Sequence, residues 1–418
     1  MLATLVESAT TLLTFAGLFY YIAALWSARS FVRRRAAATG FAPTVSILKP
    51  VKGLDPGMYE AFASHCRQNY SSDYEVLFGV SSLDDPAVEA IQRLQAEFPQ
   101  RSIRLIQTPE QLGPNGKIGN VVQLVPHARH EYLLVNDSDI RVSPRYLTRV
   151  MAEFATPQRG KPVGLVTAPY RGLAHGATTL GAPQPALSLP KGPDSRMWDH
   201  PTLGSKLEAL GISTDFFPGV LTALKLDGEI RFGLGSTLAV SRPALDAIGG
   251  FAPLVHSLAD DYELGHRIAQ AGYAVVLIRE IVDTSVPAYT LAGYFAHQLR
   301  WARAIRDSRK WGYFGLIFTF GLPWAIFNVI TTGFAIESLA LLSLTCLARV
   351  TVALSVGVGI LNDRQVLRDL WLLPLRDLFA LWTWVWSFAG NTVTWRGQTF
   401  ALENGNLTPL PTNPSKSP

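Results

Sequence analysis

Cysteine is nearly absent from this chain of 418 residues. Its two cysteines, Cys66 and Cys346, lie far apart without metal-type spacing. That excludes a disulfide framework and is compatible with a reducing face. Charge is also scarce: Asp, Glu, Lys and Arg make up 17% of the chain against 48% hydrophobic residues, which is apolar for a soluble protein. The net charge of +5 draws on two basic clusters, Arg33-Arg34-Arg35 and the stretch from Arg300 to Lys310. Both flank apolar segments, so they fit an anionic membrane surface, and no nucleic-acid partner is expected. The P-loop spacing G-x-x-x-x-G-K-[ST] is missing as well.

Long apolar runs are concentrated at the two ends. Ala9 to Trp26 is roughly long enough to span a bilayer. A signal peptide carries positive charge before its apolar run and a cleavage site after it. Here Glu7 precedes the run and Arg29 and Arg33-Arg34-Arg35 follow. It therefore reads as an uncleaved anchor, and the positive-inside rule places the next domain in the cytoplasm. Tyr313 to Phe334 and Leu339 to Ile360 read as a membrane hairpin turning near Glu337. Pro374, Arg376 and Asp377 interrupt the last apolar stretch and leave Leu378 to Ala389, a length suited to an interfacial or re-entrant helix. Trp382, Trp384 and Trp386 suit the headgroup level. The expected organisation is an anchor with its basic flank (1–40), an α/β domain (41–310), a membrane hairpin with an interfacial helix (311–403) and a disordered tail (404–418).

Between the apolar ends the pattern is α/β. Strands are expected at Val45–Leu48, Tyr74–Val80, Ile103–Ile106 and Tyr132–Val135, alternating with helices at Met58–Arg67, Ala87–Phe98 and Ile118–Leu124. Further strands are expected at Val163–Ala168 and Ala274–Ile278. This alternation implies a mainly parallel sheet. Gly181 to Pro201, rich in Pro and Gly and without a period, reads as an inserted loop.

Four constellations carry chemistry. Asp137-Ser138-Asp139 follows the apolar run Tyr132 to Val135. Two carboxylates at a strand's C-terminal end can hold a divalent ion, on the edge where open α/β sheets bind ligands. Mg²⁺ or Mn²⁺ held by few protein oxygens keeps sites free for phosphate, which suits a nucleotide diphosphate. Asp84-Asp85-Pro86 follows the second strand at the same edge. A carboxylate there can accept from a uracil N3–H or a ribose hydroxyl, or cap the next helix, or do both. The loop Gly113-Pro114-Asn115-Gly116-Lys117-Ile118-Gly119-Asn120 reads either as backbone N–H groups and the Lys117 ammonium offered to phosphate, or as a plain turn.

Ala259-Asp260-Asp261-Tyr262-Glu263 opens an expected helix from Asp261 to Ala271. Its carboxylates either compensate the helix dipole or supply a general base beside a sugar. Leu264, Ile268 and Ala271 set the buried face, and Asp261 stands near its start, so Asp261 is taken as the base and Asp260 as the cap. In His297-Gln298-Leu299-Arg300-Trp301, Arg300 can pair with a diphosphate and Trp301 can stack on a sugar or acceptor. An interfacial Arg/Trp anchor is the plainer reading.

In this order and spacing the motifs resemble the GT-A glycosyltransferases of the ceramide glucosyltransferase family. The match runs from Val45-Ser46-Ile47-Leu48-Lys49-Pro50-Val51-Lys52-Gly53 to Thr394-Trp395-Arg396. Within that family the chain most resembles the bacterial hopanoid-biosynthesis glycosyltransferases, through Asn136 to Val142, Phe232 to Thr237, Leu258 to Gly265 and the His297-x-x-Arg300-Trp301 pattern. The resemblance implies a GT-A (Rossmann-like, nucleotide-diphospho-sugar transferase) fold with N- and C-terminal transmembrane helices. It implies Asp85 for the nucleotide, Asp137 and Asp139 for metal and diphosphate, Asp261 as base, and Arg300 and Trp301 near donor diphosphate and acceptor. Lys49, Pro50, Asp84 and Lys117 complete the expected nucleotide-sugar contacts, and His297 and Asp260 are expected against acceptor or donor. His297 stands where the family usually has Gln or Arg, and the insertion from Gly181 to Pro201 has no counterpart.

The expectation is therefore a metal-dependent, inverting hexosyltransferase, multi-pass in the bacterial inner membrane with a cytoplasmic catalytic domain. It would pass N-acetylglucosamine from a UDP-sugar to bacteriohopanetetrol. A ceramide-type glucosyltransferase is the first alternative. A polysaccharide synthase needs a channel of many helices, and two or three spans are too few. A scaffold without activity has no reason to keep four such motifs at one edge.

Overall fold

The computed structural model describes residues 1–34, 40–174, 201–395 and 398–410. The insertion expected over 181–201 thus falls, except for Pro201, outside the described residues. The chain forms two compact units. One comprises Arg34–Tyr170, Asp227–Ser285 and the segment from Thr392; the other comprises Met1–Arg33, Arg171–Leu226 and Val286–Asn391. In this division the described residues of 171–226, together with 286–310, fall with the apolar helices, and the described C-terminal residues from Thr392 fall with the α/β unit.

The α/β unit is built on a seven-stranded sheet in the spatial order Ser102–Gln107, Tyr74–Val80, Val45–Pro50, Tyr132–Val135, Leu238–Ser241, Val163–Thr167, Ala274–Leu277. Val45–Pro50 and Tyr74–Val80 are buried at every position. Strands covered on both faces read as mainly apolar runs, here broken by the buried Ser46, Lys49 and Glu75. The first four strands are parallel, and Val45–Leu48 lies level with Tyr132–Val135. Their C-terminal ends therefore lie side by side, and the turns carrying Asp85 and Asp137 leave the sheet at one edge. Leu238–Ser241 runs antiparallel to both of its neighbours, an interruption the sequence reading lacks.

A smaller antiparallel sheet, Thr392–Trp395, Gln398–Glu403 and Asn406–Pro409, closes the described part of this unit. The last strand lies within the segment expected as a disordered tail from Asn404. Leu402 and Leu407 face each other and are both buried. Two apolar anchors hold a stretch whose polar composition conceals it.

The other unit is helical. Leu2–Val32 and Ile336–Val358 are each long and apolar enough to cross a membrane. Lys310–Thr319 and Gly321–Thr331 qualify together but bend by 54° at Phe320. Phe320 leaves helical geometry, and Pro323 has no N–H to bridge back across the break. A Cβ on Gly17 would lie 2.1 Å from the Gly321 Cα, so only glycine lets these two helices cross so closely.

The helix Leu373–Ser387 contains most of the stretch expected to be helical from Leu378 to Ala389 and begins five residues earlier. Trp382 and Trp386 stack on each other and are exposed, in keeping with a headgroup position. Trp384 turns inward and donates to the Tyr313 carbonyl at 3.0 Å, which corrects its expected position. Arg376 and Asp377 are interior partners. Arg349 binds both Asp377 oxygens at 2.7 and 2.8 Å, and Arg376 pairs with Asp215 at 2.7 Å.

Candidate active site

Asn136 fixes the end of the strand that carries the two carboxylates. It is fully buried. Its Nδ2 donates to the Ser236 carbonyl at 2.6 Å and to the Tyr146 hydroxyl at 3.0 Å, while His65 Nε2 lies 3.2 Å from its Oδ1. Tyr146 in turn contacts the Thr237 hydroxyl at 2.9 Å. A satisfied buried network of this kind holds one geometry. It ties Asp137 to the loop Phe232 to Thr237.

The next residue, Asp137, turns outward, and its side chain is 39% exposed. Lys117 Nζ sits 2.8 Å from its Oδ1. Asp139 accepts at Oδ2 from the Thr284 hydroxyl and from the Ser285 N–H at 3.0 Å. Burial first, and Asp137 second, push its carboxyl up to about 6. Ser138 donates to Asp55 across the same turn.

Asp261 stands across from this pair. Its Oδ1 accepts from the Tyr262 N–H at 2.8 Å. Burial and then Asp260 push its carboxyl up to about 6, against the pull of Lys117. Gly235 lies between the two carboxylates. A Cβ there would be 3.3 Å from Asp261 Oδ2 and 3.8 Å from Asp137 Oδ2. Glycine keeps that space open.

Asp260 does not cap the helix Asp260–Gln270: the N-cap residue Ala259 offers no side-chain cap, and the first-turn N–H of Tyr262 donates to Asp261. It is buried, accepts from Asn115 Nδ2 at 3.2 Å, and has Lys117 Nζ 3.4 Å from Oδ2. The cap role is thereby corrected: its oxygens turn toward the glycine loop, where two donors are fixed, and away from the first helical turn. Lys117 likewise meets carboxylates where phosphate was expected. Burial opposes its charge, but Asp137 and Asp260 together outweigh burial and keep it protonated.

Lys49 is fully enclosed and donates to the Asp137 carbonyl at 3.0 Å. Burial pushes its ammonium down to about 7 against Asp139 and Asp137. Lys49 thus holds the backbone of the turn that carries the carboxylate pair. Pro50 is buried at the strand end.

Asp85 accepts from the Gly53 N–H at 2.9 Å and from the Ala87 N–H at 2.9 Å. It ties the first loop to the start of the next helix, Ala87–Glu97. Asp84 is exposed beside Ser82.

His297, Arg300 and Trp301 lie on Leu291–Ser308 in the helical unit. His297 Nε2 is 3.4 Å from Glu208, and Arg300 is 3.1 Å from His297 Nδ1. Trp301 packs between the rings of His297 and Phe216. Asp55 lies outside every motif read from the sequence. Asn115 lies inside the loop Gly113 to Asn120, and Asn136 and Gly235 inside stretches that carry the resemblance, but none of the three was given a role.

Among the described residues no group of three or more His, Cys, Asp or Glu side chains could hold a metal ion. A cation at this edge would have Asp137 and Asp139 as its protein ligands. Asp139 fits that role: its buried carboxyl is costly to ionise, and its Oδ1 is not engaged by the hydrogen bonds at Oδ2.

The profile of glycosyl transferase family 21 matches residues 9–183 and 195–408. The chain belongs to glycosyl transferase family 21. The break in the match, 184–194, lies inside the stretch read as an insertion. Ceramide glucosyltransferase 3 of Caenorhabditis elegans is 24% identical over 261 residues, 62% of this chain and 50% of that protein. Ceramide glucosyltransferase of Candida albicans is 31% identical over 114 residues, 25% of this chain and 21% of that protein. The chain thus spans half or less of the length of these curated relatives. A mannosyltransferase from Pyrobaculum calidifontis, solved with GDP-Man and Mn²⁺, superposes with a TM-score of 0.51 at 16% identity, covering 92% of this chain and 99% of that one. For this family 21 member that likeness fixes the GT-A fold.

Proposed function

We propose that this family 21 protein is a membrane-bound inverting glycosyltransferase that moves a sugar from a UDP-sugar to a hydroxyl of a membrane lipid. The observation that carries the reading is the pair of carboxylates, Asp137 and Asp261, facing each other across Gly235 at the C-terminal edge of the sheet. Asp261 is the general base. Its carboxylate takes the proton of the lipid hydroxyl as that oxygen bonds to the anomeric carbon. The bond from that carbon to the UDP oxygen breaks, its electron pair leaves with UDP, and the anomeric configuration inverts. A carboxyl raised to about 6 is ionised at neutral pH yet basic enough to take a proton.

Asp137 and Asp139 would hold Mg²⁺ or Mn²⁺, which when bound would supply positive charge to the donor diphosphate. Lys117 and Lys49 hold Asp137 in place. Arg300 and Trp301 serve donor diphosphate and acceptor.

The sugar and the lipid rest on the resemblance in Asn136 to Val142, Phe232 to Thr237 and Leu258 to Gly265. On that basis they are N-acetylglucosamine and bacteriohopanetetrol. A ceramide-type acceptor with glucose is the second reading, favoured by the names of the relatives. Mass spectrometry of lipids from cells with and without the gene separates the two. Loss of a glycosylated hopanoid supports the first, loss of a glucosylated sphingolipid supports the second, and an unchanged lipid profile removes both.

The protein sits in the bacterial inner membrane with its catalytic unit in the cytoplasm, on the strength of Arg33-Arg34-Arg35 after the first apolar run. Cysteine labelling at Asp84, made as Asp84→Cys, should fail from the periplasmic side of intact cells.

A further inference from the structure

The Asp261 carboxylate is held within its own helix by the Tyr262 N–H, whereas the Asp260 carboxylate turns to partners outside that helix. The segment before them, Val255 to Leu258, is held from two sides within the α/β unit. On one side is Asn115, which is fully buried. Its N–H donates to the Val255 carbonyl at 2.9 Å. Its Oδ1 accepts from the Ile118 N–H at 3.1 Å, capping the helix that carries Lys117. Its Nδ2 donates to the Ser257 carbonyl at 2.9 Å and to Asp260 Oδ1 at 3.2 Å. One amide therefore uses both ends: the oxygen starts the Lys117 helix and the nitrogen sets the acidic turn.

On the other side is the C-terminal strand Asn406–Pro409. Ser257 pairs with Asn406. The Leu258 N–H donates to the Gly405 carbonyl at 3.1 Å, and the Leu407 N–H donates to the His256 carbonyl at 2.8 Å. A strand from the chain's C-terminal segment thus adds itself to the segment that leads directly into Asp260. From there the geometry passes on to the base, since the Asp261 carbonyl accepts from the Gly233 N–H at 3.0 Å, next to Gly235. Asp260 Oδ2 is buried and takes no hydrogen bond. Its place depends on Asn115 at the other oxygen and on Lys117 nearby.

We infer that Asn115 is a positioning residue for the reaction: together with the strand Asn406–Pro409 it clamps the segment Val255 to Leu258 and sets Asp261 against the reacting hydroxyl through Asp260. The inference rests on the reading of Asp261 as the base. Asn115 touches neither donor nor acceptor in this account. Its loss should therefore lower kcat while leaving the binding of UDP alone unchanged.

Asn115→Asp in the full chain is the sharpest test. Aspartate keeps the helix cap, because its oxygen still accepts from the Ile118 N–H. It replaces the donating Nδ2 by an oxygen facing the Ser257 carbonyl and Asp260. We expect kcat to fall at least tenfold, with UDP affinity by calorimetry and the donor KM changed less than twofold. Combined with Asp260→Asn, which removes the facing carboxylate, the loss should be smaller than the product of the two single losses. Should Asn115→Asp fail to fold, Asn115→Ser keeps a cap and removes the donor, and the same kcat loss is expected. A chain ending at Glu403, which retains every candidate membrane helix, should show the same split between kcat and UDP binding. Wild-type kcat in both Asn115→Asp and the shortened chain overturns the inference, as does a fully multiplicative double variant. If Asp261→Asn is itself active, the base reading fails first; if Asp261→Asn is inactive while the Asn115 variant is normal, only the clamp fails.

Discussion

The two units bury charge in opposite ways. In the helical unit one pair is closed: Arg349 grips both oxygens of Asp377, and its NH1 also donates to the Thr214 carbonyl at 2.9 Å. In the α/β unit the acidic cluster is left under-filled. Asp137, Asp260 and Asp261 share Lys117 as their close ammonium partner, and Asp260 Oδ2 has no hydrogen bond. Closed pairs specify packing, since breaking one strands a buried charge. An under-compensated cluster leaves room for a cation or a proton, and the raised carboxyl of Asp261 marks it as a place where chemistry happens.

Several outcomes would break or sharpen this contrast. The largest effect is expected for Asp261→Asn, which should cut turnover by roughly 10²- to 10⁴-fold, the usual worth of a general base. UDP binding by calorimetry should be nearly unchanged. Near-normal turnover would move the base elsewhere, with Asp260 next in line.

Excess EDTA comes second. Loss of several kcal/mol of charge stabilisation corresponds to a slowing on the order of 10³-fold, reversed by added Mg²⁺ or Mn²⁺. Full activity in chelator would leave Lys117 as the cation of the site and remove the metal.

The closed pair gives the counter-test. Arg349→Ala should destabilise the folded protein by about 3 to 5 kcal/mol, seen as a lower denaturation midpoint in detergent. Replacing both partners, Arg349→Met with Asp377→Leu, should recover most of that loss. If the double replacement folds well but abolishes transfer, the closed pair has a functional role and the contrast between the units fails.

The smallest effect is that of pH. Asp261 must be ionised to accept a proton, and burial together with Asp260 raises its carboxyl to about 6. Activity should therefore be flat above that value and fall roughly tenfold per pH unit below it. The acid limb should vanish from the residual activity of Asp261→Asn. A wild-type profile that stays flat well below that value would contradict the burial of this carboxylate.

Much of the α/β unit was legible beforehand. Val45–Pro50, Tyr74–Val80 and Tyr132–Val135 fall where their apolar runs place them, within two residues. Leu238–Ser241 was missed because four residues after a glycine-rich loop give too short a signal, and nothing local sets its antiparallel direction. The C-terminal strands alternate, with Val393, Phe400 and Leu402 buried, but over so few residues and among so many Thr, Asn and Gly that the signal is short.

The sequence by itself determined the class of fold, the apolar ends and the acidic motifs, because each depends on the local order of side chains along one strand or helix. It did not determine what those side chains face. Lys49 looked like a nucleotide contact and is an enclosed prop for Asp137; Asp260 looked like a cap and is a partner of Asn115 and Lys117. Arg376 and Asp377 looked like an interruption of an apolar run and are interior ion pairs. A charge is defined by its partner, and these partners stand from 28 to 161 positions away in the chain. Only the tertiary structure brings them together.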